Sequence, residues 1–164
     1  MFGAAALFMA PALHSGRLRA QIPPDTARNL KFFSEEEYLV VSATAAHLTG
    51  HLPGEGEDGI DAALRADTFL STEDPEIQDQ IHLLLTIFKS SIAAFLFSFR
   101  FTGFLNMDAD ARDGYLEGWM TSSLEFRRTG FQALKRLSMS MRYTDERSWD
   151  EIGYHGMEMP GGSR

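Results

Sequence analysis

The sequence predicts an all-α fold, a compact helical domain of about five or six helices around one long central hydrophobic helix. Three observations predict it. Apolar residues recur at three- and four-residue spacing through several long stretches. No alternation of apolar and polar residues runs far enough for a strand. Gly, Pro and capping residues stand between the apolar stretches, where helices stop and start. At 164 residues, 44% hydrophobic and 23% charged, the chain supports one domain with a sizeable core.

Taken in order, residues 1–31 read as an apolar, signal-like segment and linker. Met1 to Ala12 is rich in small residues, as long as the core of a signal peptide and too short to span a bilayer. No basic stretch precedes it, so as an export signal it is incomplete as written. Ala10-Pro11-Ala12 nevertheless supplies an A-x-A-like step. The expectation is a truncated export signal; the other reading is the apolar N-terminus of a cytoplasmic protein. Residues 32–156 form the expected helical domain and 157–164 a tail.

Ser34 followed by Glu35-Glu36-Glu37 is a capping box, with Glu37 at the third helical position and acids against the positive helix end. Phe33 and Tyr38 flank it as a hydrophobic staple. This helix is expected to run to Leu48 and stop at Gly50 and Pro53. Gly54 to Gly59 reads as a loop, and Ile60, Ala63, Leu64 and Asp67 as a short helix. Asp74-Pro75 opens the next, with Asp at the cap and Pro in the first turn. From there Ile77, Ile81, Leu84, Leu85, Phe88, Ile92, Phe95, Leu96 and Phe99 make one continuous stripe, the predicted central helix. Its far end carries Phe95, Phe97, Phe99, Phe101 and Phe104, an aromatic excess expected either of a partner interface or of a helix buried all round. Asp108 caps a helix with Tyr115, Leu116, Trp119 and Met120, and Ser122-Ser123 break or bend it. Leu124, Phe126, Phe131, Leu134, Leu137 and Met141 form a last long stripe. Asp145 then caps a short turn with Trp149 and Ile152.

Between Ile81 and Leu105, 16 of 25 residues are apolar, which raises the question of a membrane span. Lys89 lies near the middle of that stretch. A charge at the bilayer centre costs about 2.5–3.5 kcal/mol even on the lenient insertion scale, so a core helix is the better reading. The chain is not expected to be an integral membrane protein by itself.

The formal net charge is −8, and it is not spread evenly. Residues 51–80 hold nine acids against Arg65, while the flanking segments are near neutral. Such a run is ordinarily a solvated face, and otherwise a partner-facing patch or a calcium loop, though Glu55 to Gly59 lacks the calcium-loop register and its distal Glu. No nucleic-acid partner is expected of so acidic a chain. The absence of cysteine excludes a disulfide framework, a thiolate nucleophile, Cys-ligated zinc or iron–sulfur, and haem attached through C-x-x-C-H.

Candidate chemistry is sparse. His47 and His51 have the i, i+4 spacing of two metal ligands on one helical face, but Gly50 intervenes and no H-E-x-x-H motif is formed. His82 lies among apolar residues and reads as a core or interface histidine. Neither a P-loop, a dinucleotide fingerprint nor a nucleophile elbow is present. No catalytic, cofactor-binding or metal-ligating residue is assigned, and the chain is not expected to be an enzyme. Two rival readings remain: a stand-alone metal- or ligand-binding protein using His47, His51 and the acidic loop, and a membrane-associated component held through residues 81–105.

The last third carries a more specific pattern: Tyr115-Leu116-x-x-Trp119-x-x-Ser122, Arg127-Arg128-x-x-Phe131-x-x-Leu134-Lys135-x-Leu137, Tyr143, and Trp149-x-x-Ile152-Gly153-Tyr154-x-Gly156. With the opening Phe32-Phe33-Ser34-Glu35-Glu36-Glu37, and with Gly59-Ile60-Asp61 and Leu70, it resembles the gluconate 2-dehydrogenase subunit 3 family. These are small subunits of flavin-dependent dehydrogenase complexes of the glucose-methanol-choline type. The resemblance implies a non-catalytic subunit with no cofactor of its own, whose large catalytic partner binds FAD. It implies a cytochrome c subunit as a further partner, and a periplasmic location reached by twin-arginine export. Aromatic and arginine side chains are enriched at interface cores. On that basis the interface is placed at Phe101, Trp119, Phe126, Arg127, Arg128, Phe131, Trp149 and Tyr154, some of which must instead be core.

Overall fold

The capping box predicted at Ser34 opens the most deeply buried helix among the described residues. A computed structural model of the chain describes residues 24–50, 59–90 and 103–154. Helix α1 spans Pro24–Asn29, α2 Glu35–Thr49, α3 Ala62–Leu70 and α4 Pro75–Lys89. A 3-10 turn at Phe104–Asn106 leads to α5, Ala109–Met120, and α6, Glu125–Tyr143; a second 3-10 turn covers Glu146–Ser148. The protein is all-α, with no strand among the described residues.

At the start of α2 the Ser34 hydroxyl accepts from the Glu37 amide, and the Glu37 carboxylate accepts from the Ser34 amide at 2.9 Å. The helix ends at Gly50, whose φ of 75° is the left-handed cap that glycine adopts without a Cβ penalty. Between these ends α2 buries residues on every side: Tyr38, Leu39, Val40 and Val41 in succession, then Thr44 and Ala45. A helix with so broad a buried surface needs several neighbours. Helices α3, α4 and α6 supply them, and α6 also packs against α3 and α5.

The predicted helix from Pro75 forms but ends at Lys89, where Ser90 turns extended at φ −66° and ψ 128°. Only Leu85 and Phe88 of its described residues are fully buried, and Ile77 and Leu83 are exposed. The stripe beyond Ser90, including Ile92, Phe95, Phe97, Phe99 and Phe101, lies outside the described residues, as do residues 1–23 and 155–164. The end of α4 is fixed from across the core. The Tyr115 hydroxyl donates to the Phe88 carbonyl at 2.9 Å, satisfying one of the acceptors that a helix C-terminus leaves open.

Around that bond lies an aromatic cluster. The Phe88 ring stands 4.9 Å from Phe104, 5.3 Å from Tyr115 and 4.6 Å from Trp119, centroid to centroid, in edge-on or tilted arrangements that suit aromatic quadrupoles. Trp119 is 0% exposed. Gly130 of α6 lets this cluster seat: a Cβ there would come within 3.1 Å of the Trp119 ring and 2.6 Å of the Leu84 side chain.

One buried carboxylate ties the front of the chain to the body. Asp67 of α3, 0% exposed, accepts the backbone amides of Lys31 at 2.8 Å, Phe32 at 2.9 Å and Phe33 at 2.7 Å. Residues 31–34 thus form a strap between α1 and α2. The acidic run was expected to be solvated or to face a partner, and Asp67 corrects that expectation. Asp61 corrects it too: it caps α3 through the Leu64 amide and accepts the Tyr38 hydroxyl at 2.6 Å. Glu76 and Asp79, by contrast, are exposed.

Two substitutions test this account. Trp119→Ala should cost about 3–5 kcal/mol in denaturant unfolding, the range for truncating a fully buried aromatic. Asp67→Ala should cost about 3 kcal/mol, since orphaning a buried amide costs about 1–3 kcal/mol and three amides share this acceptor.

Candidate functional site

The candidate site is the corner joining α5 to α6, where apolar side chains reach solvent directly above the aromatic core. Helix α5 stops at Met120, and Ser122-Ser123 break the path as their sequence predicts. The Ser122 hydroxyl accepts from the Leu124 amide at 3.2 Å, a local bond that competes with helix continuation. Two arginines then brace the turn. Arg127 donates to the Ser122 hydroxyl at 3.3 Å, and Arg128 donates to the Ser122 carbonyl.

Arg127 is buried, and its guanidinium lies 5.3 Å from the centre of the Trp119 ring. A planar, weakly hydrated cation suits that position, and its attraction to the ring offsets part of its desolvation. Burial pulls the Arg127 pKa below its ordinary value, and Tyr115 opposes the shift. Above this base Met120, Leu124 and Phe126 are exposed, Phe126 at 47%. The Phe126 ring meets Trp119 edge-on at 6.3 Å, so the exposed aromatic is continuous with the core.

A second exposed apolar group closes the described chain. Trp149 and Tyr154 pair edge-on at 5.0 Å, with the Trp149 indole donating to the Tyr143 carbonyl at 3.3 Å. Ile152 and Tyr154 are exposed there. Asp145 holds this turn to the body. It takes Arg65 of α3 at 2.7 Å and Arg147 at 2.8 Å, while Arg142 reaches Glu151 at 2.7 Å. The Arg147 hydrogen bond is the main reason that the Asp145 carboxyl is lowered from the ordinary 3.8 to about 2; burial opposes it and Arg65 adds to it.

The sequence-derived interface residues divide by position. Trp119, Phe131 and Arg127 lie in the interior. Phe126, Arg128 and Tyr154 are exposed, Trp149 is half-buried, and Phe101 is outside the described residues. Met120 and Leu124 join the exposed set. Their signal in the sequence was their place on either side of the helix break, where no neighbouring turn can cover them.

His47 bonds Asp113 of α5 at 2.7 Å, and His51 is outside the described residues. His82 bonds the buried Glu37 carboxylate at 2.8 Å and stacks on Phe32 with centroids 4.3 Å apart. Among the described residues no three His, Asp or Glu side chains come together as a metal site. No helix among them is long and apolar enough to cross a membrane. Comparison with protein-family models, with curated proteins and with solved structures finds no match for this chain.

The two exposed groups make different predictions. Phe126→Ser should lower stability by about 1 kcal/mol or less in denaturant unfolding, because a half-exposed ring gives up little burial. The Asp145 contribution has an acid limit. Its pKa is depressed on folding, so the stability it adds is complete above about 3.8 and lost as pH falls through about 2. Asp145→Asn should therefore flatten the acid limb of a stability-against-pH curve in that window.

Proposed function

We propose that this chain is a non-catalytic small subunit that stabilises, matures or escorts for export a FAD-dependent alcohol or sugar dehydrogenase of the glucose-methanol-choline type. The observation that carries the reading is the pattern from Tyr115 to Gly156, which resembles the gluconate 2-dehydrogenase subunit 3 family. The geometry of the α5–α6 corner supports it. Residues of that pattern, Trp119 and Arg127, hold a base on which the neighbouring Met120, Leu124 and Phe126 stand exposed.

In this reading the catalytic subunit covers the corner and gains a rigid aromatic anchor. Phe126 has little freedom left to lose, since its ring already rests on Trp119. Arg128, fastened to the Ser122 carbonyl, provides a polar rim. The turn at Trp149, Ile152 and Tyr154 offers a second contact, braced by Asp145. FAD belongs to the large subunit, electrons pass to a cytochrome c subunit, and the complex reaches the periplasm by twin-arginine export.

Co-expression with the product of the adjacent gene provides the test. Affinity capture of this chain should bring down a larger subunit with the yellow absorption of oxidised flavin. Phe126→Asp, with its helical circular dichroism retained, should lose that partner. Recovery of this chain alone, with the flavoprotein soluble and active without it, would overturn the proposal.

A further inference from the structure

From Phe126 to Tyr143, α6 holds five cations and no acid, in a chain whose formal net charge is −8. Arg127 and Arg142 turn inward, and Arg142 is paired with Glu151. Arg128 and Arg136 are exposed, and Lys135 is half-buried. Arg128 spends one nitrogen on the Ser122 carbonyl. Neither Lys135 nor Arg136 has an ion-pair partner among the described residues. The exposed Thr129, Gln132 and Ser140 complete this outer side of the helix. Acids stand only beyond its ends, Glu125 before it and Glu146, Asp150 and Glu151 after it. The exposed acids Asp74, Glu76 and Asp79 belong to α4 and its cap.

The basic side of α6 ends in apolar surface at both extremes. Phe126 is exposed at its head, beside Met120 and Leu124. At its foot Ile152 and Tyr154 are exposed, on a turn that Trp149 fastens to the Tyr143 carbonyl. Glu125 and Tyr143 are about five turns apart at 3.6 residues per turn, so both stand on one side of the helix. The helix is about 28 Å long at 1.5 Å per residue. A standard interface takes about 800 Å² from each partner, a patch about 28 Å across. A single partner can therefore reach both apolar ends, and it does so by lying over the cations between them.

We propose that the outer side of α6 is one docking surface for an acidic protein face, with Phe126 and Tyr154 as its apolar ends and Arg128, Lys135 and Arg136 as its charged middle. The inference rests on the reading of this chain as a small subunit, and it adds what the catalytic subunit must present there: carboxylates between two apolar recesses. Opposite charge across an interface steers encounter and fixes register. The acids around α4 sharpen the steering, because the same partner face repels them and turns α6 toward it. An anionic bilayer also attracts cations flanked by aromatic side chains. Such a surface is charged over its whole plane and repels the net −8 of the chain, whereas a protein face need be acidic only where it covers α6.

The test measures binding of the full chain to the product of the adjacent gene by interferometry. Lys135→Glu combined with Arg136→Glu should weaken binding by about tenfold or more, chiefly in the association rate. Raising salt from about 50 to about 300 mM should weaken the wild type by a similar factor and the double variant far less. The wild-type chain should stay in solution when vesicles containing phosphatidylserine are sedimented. A complex whose affinity ignores both the charge reversal and the salt overturns this inference and leaves the small-subunit reading standing. Absence of any complex with the wild type overturns the small-subunit reading and this inference with it. Sedimentation with the vesicles, abolished by the double substitution, overturns it in favour of a membrane. Should the double variant lose its helical circular dichroism, the salt dependence of the wild type decides alone.

Discussion

The middle of α2, from Glu37 to Ser42 and again at Thr44 and Ala45, is buried, and the arrangement of the described helices follows from covering it. Glu35 and His47, with the half-buried Glu36, Ala43 and Ala46, turn outward, so α3, α4 and α6 each present an apolar face to the rest. Each of these neighbours is more one-sided than α2. Helix α6 buries Arg127, Gly130, Phe131, Leu134, Ser138 and Arg142 on one side and leaves Arg128, Gln132 and Arg136 in water. Polar fastenings then hold the frame at its edges: Glu37 with His82, Tyr38 with Asp61, Arg65 with Asp145. None of these bonds drives the assembly, since desolvation offsets much of what a buried polar pair gains. They tie particular pairs of elements together: α2 to α4, α2 to the head of α3, and α3 to the last turn.

Local features were legible in the sequence because their partners lie within a few residues. Ser34 with Glu37, Asp108 at the head of α5 and Asp145 at the last turn all act as caps through neighbouring amides. The break at Ser122-Ser123 belongs to the same class. Asp74 begins α4 as its position before Pro75 indicates, though without a side-chain cap bond. What depends on distant partners could not be read. Asp67 looked like one more acid in an acidic run, because the amides that it binds lie 34 to 36 residues earlier. The long central hydrophobic helix expected from Pro75 is not confirmed: its described part ends at Lys89, and the rest of the stripe lies outside the described residues. Periodicity measures apolar spacing on one helix, whereas burial depends on how many neighbours surround it, and α2 has the more complete set.

The candidate site shows the same division. Composition singled out aromatic and arginine residues, and these do cluster, but composition cannot tell a ring beneath the surface from one upon it. Trp119 and Phe131 are enclosed, while Phe126, a few residues from both, is half in solvent. The difference is angular. Gly130 lets α6 lie close against Trp119, which turns Phe126 to the rim of the contact and not into it. Arg127 looks like a surface cation by type, yet its guanidinium sits against the Trp119 ring inside the corner. A corner built in this way is stiff beneath and apolar above.

The long reach of Asp67 also orders events in time. As the chain leaves the ribosome, Ser34 and Glu37 can cap α2 at once, since three residues separate them. The amides of Lys31 to Phe33 have no such local acceptor and must wait for a residue made 34 or more positions later. At about 5–20 residues per second that delay is on the order of seconds, long compared with the microseconds in which a helix forms. Phe32 and Phe33 are thus synthesised well before the carboxylate that fixes their backbone. Assembly at this end runs backwards along the chain, with α3 closing over a segment that preceded it.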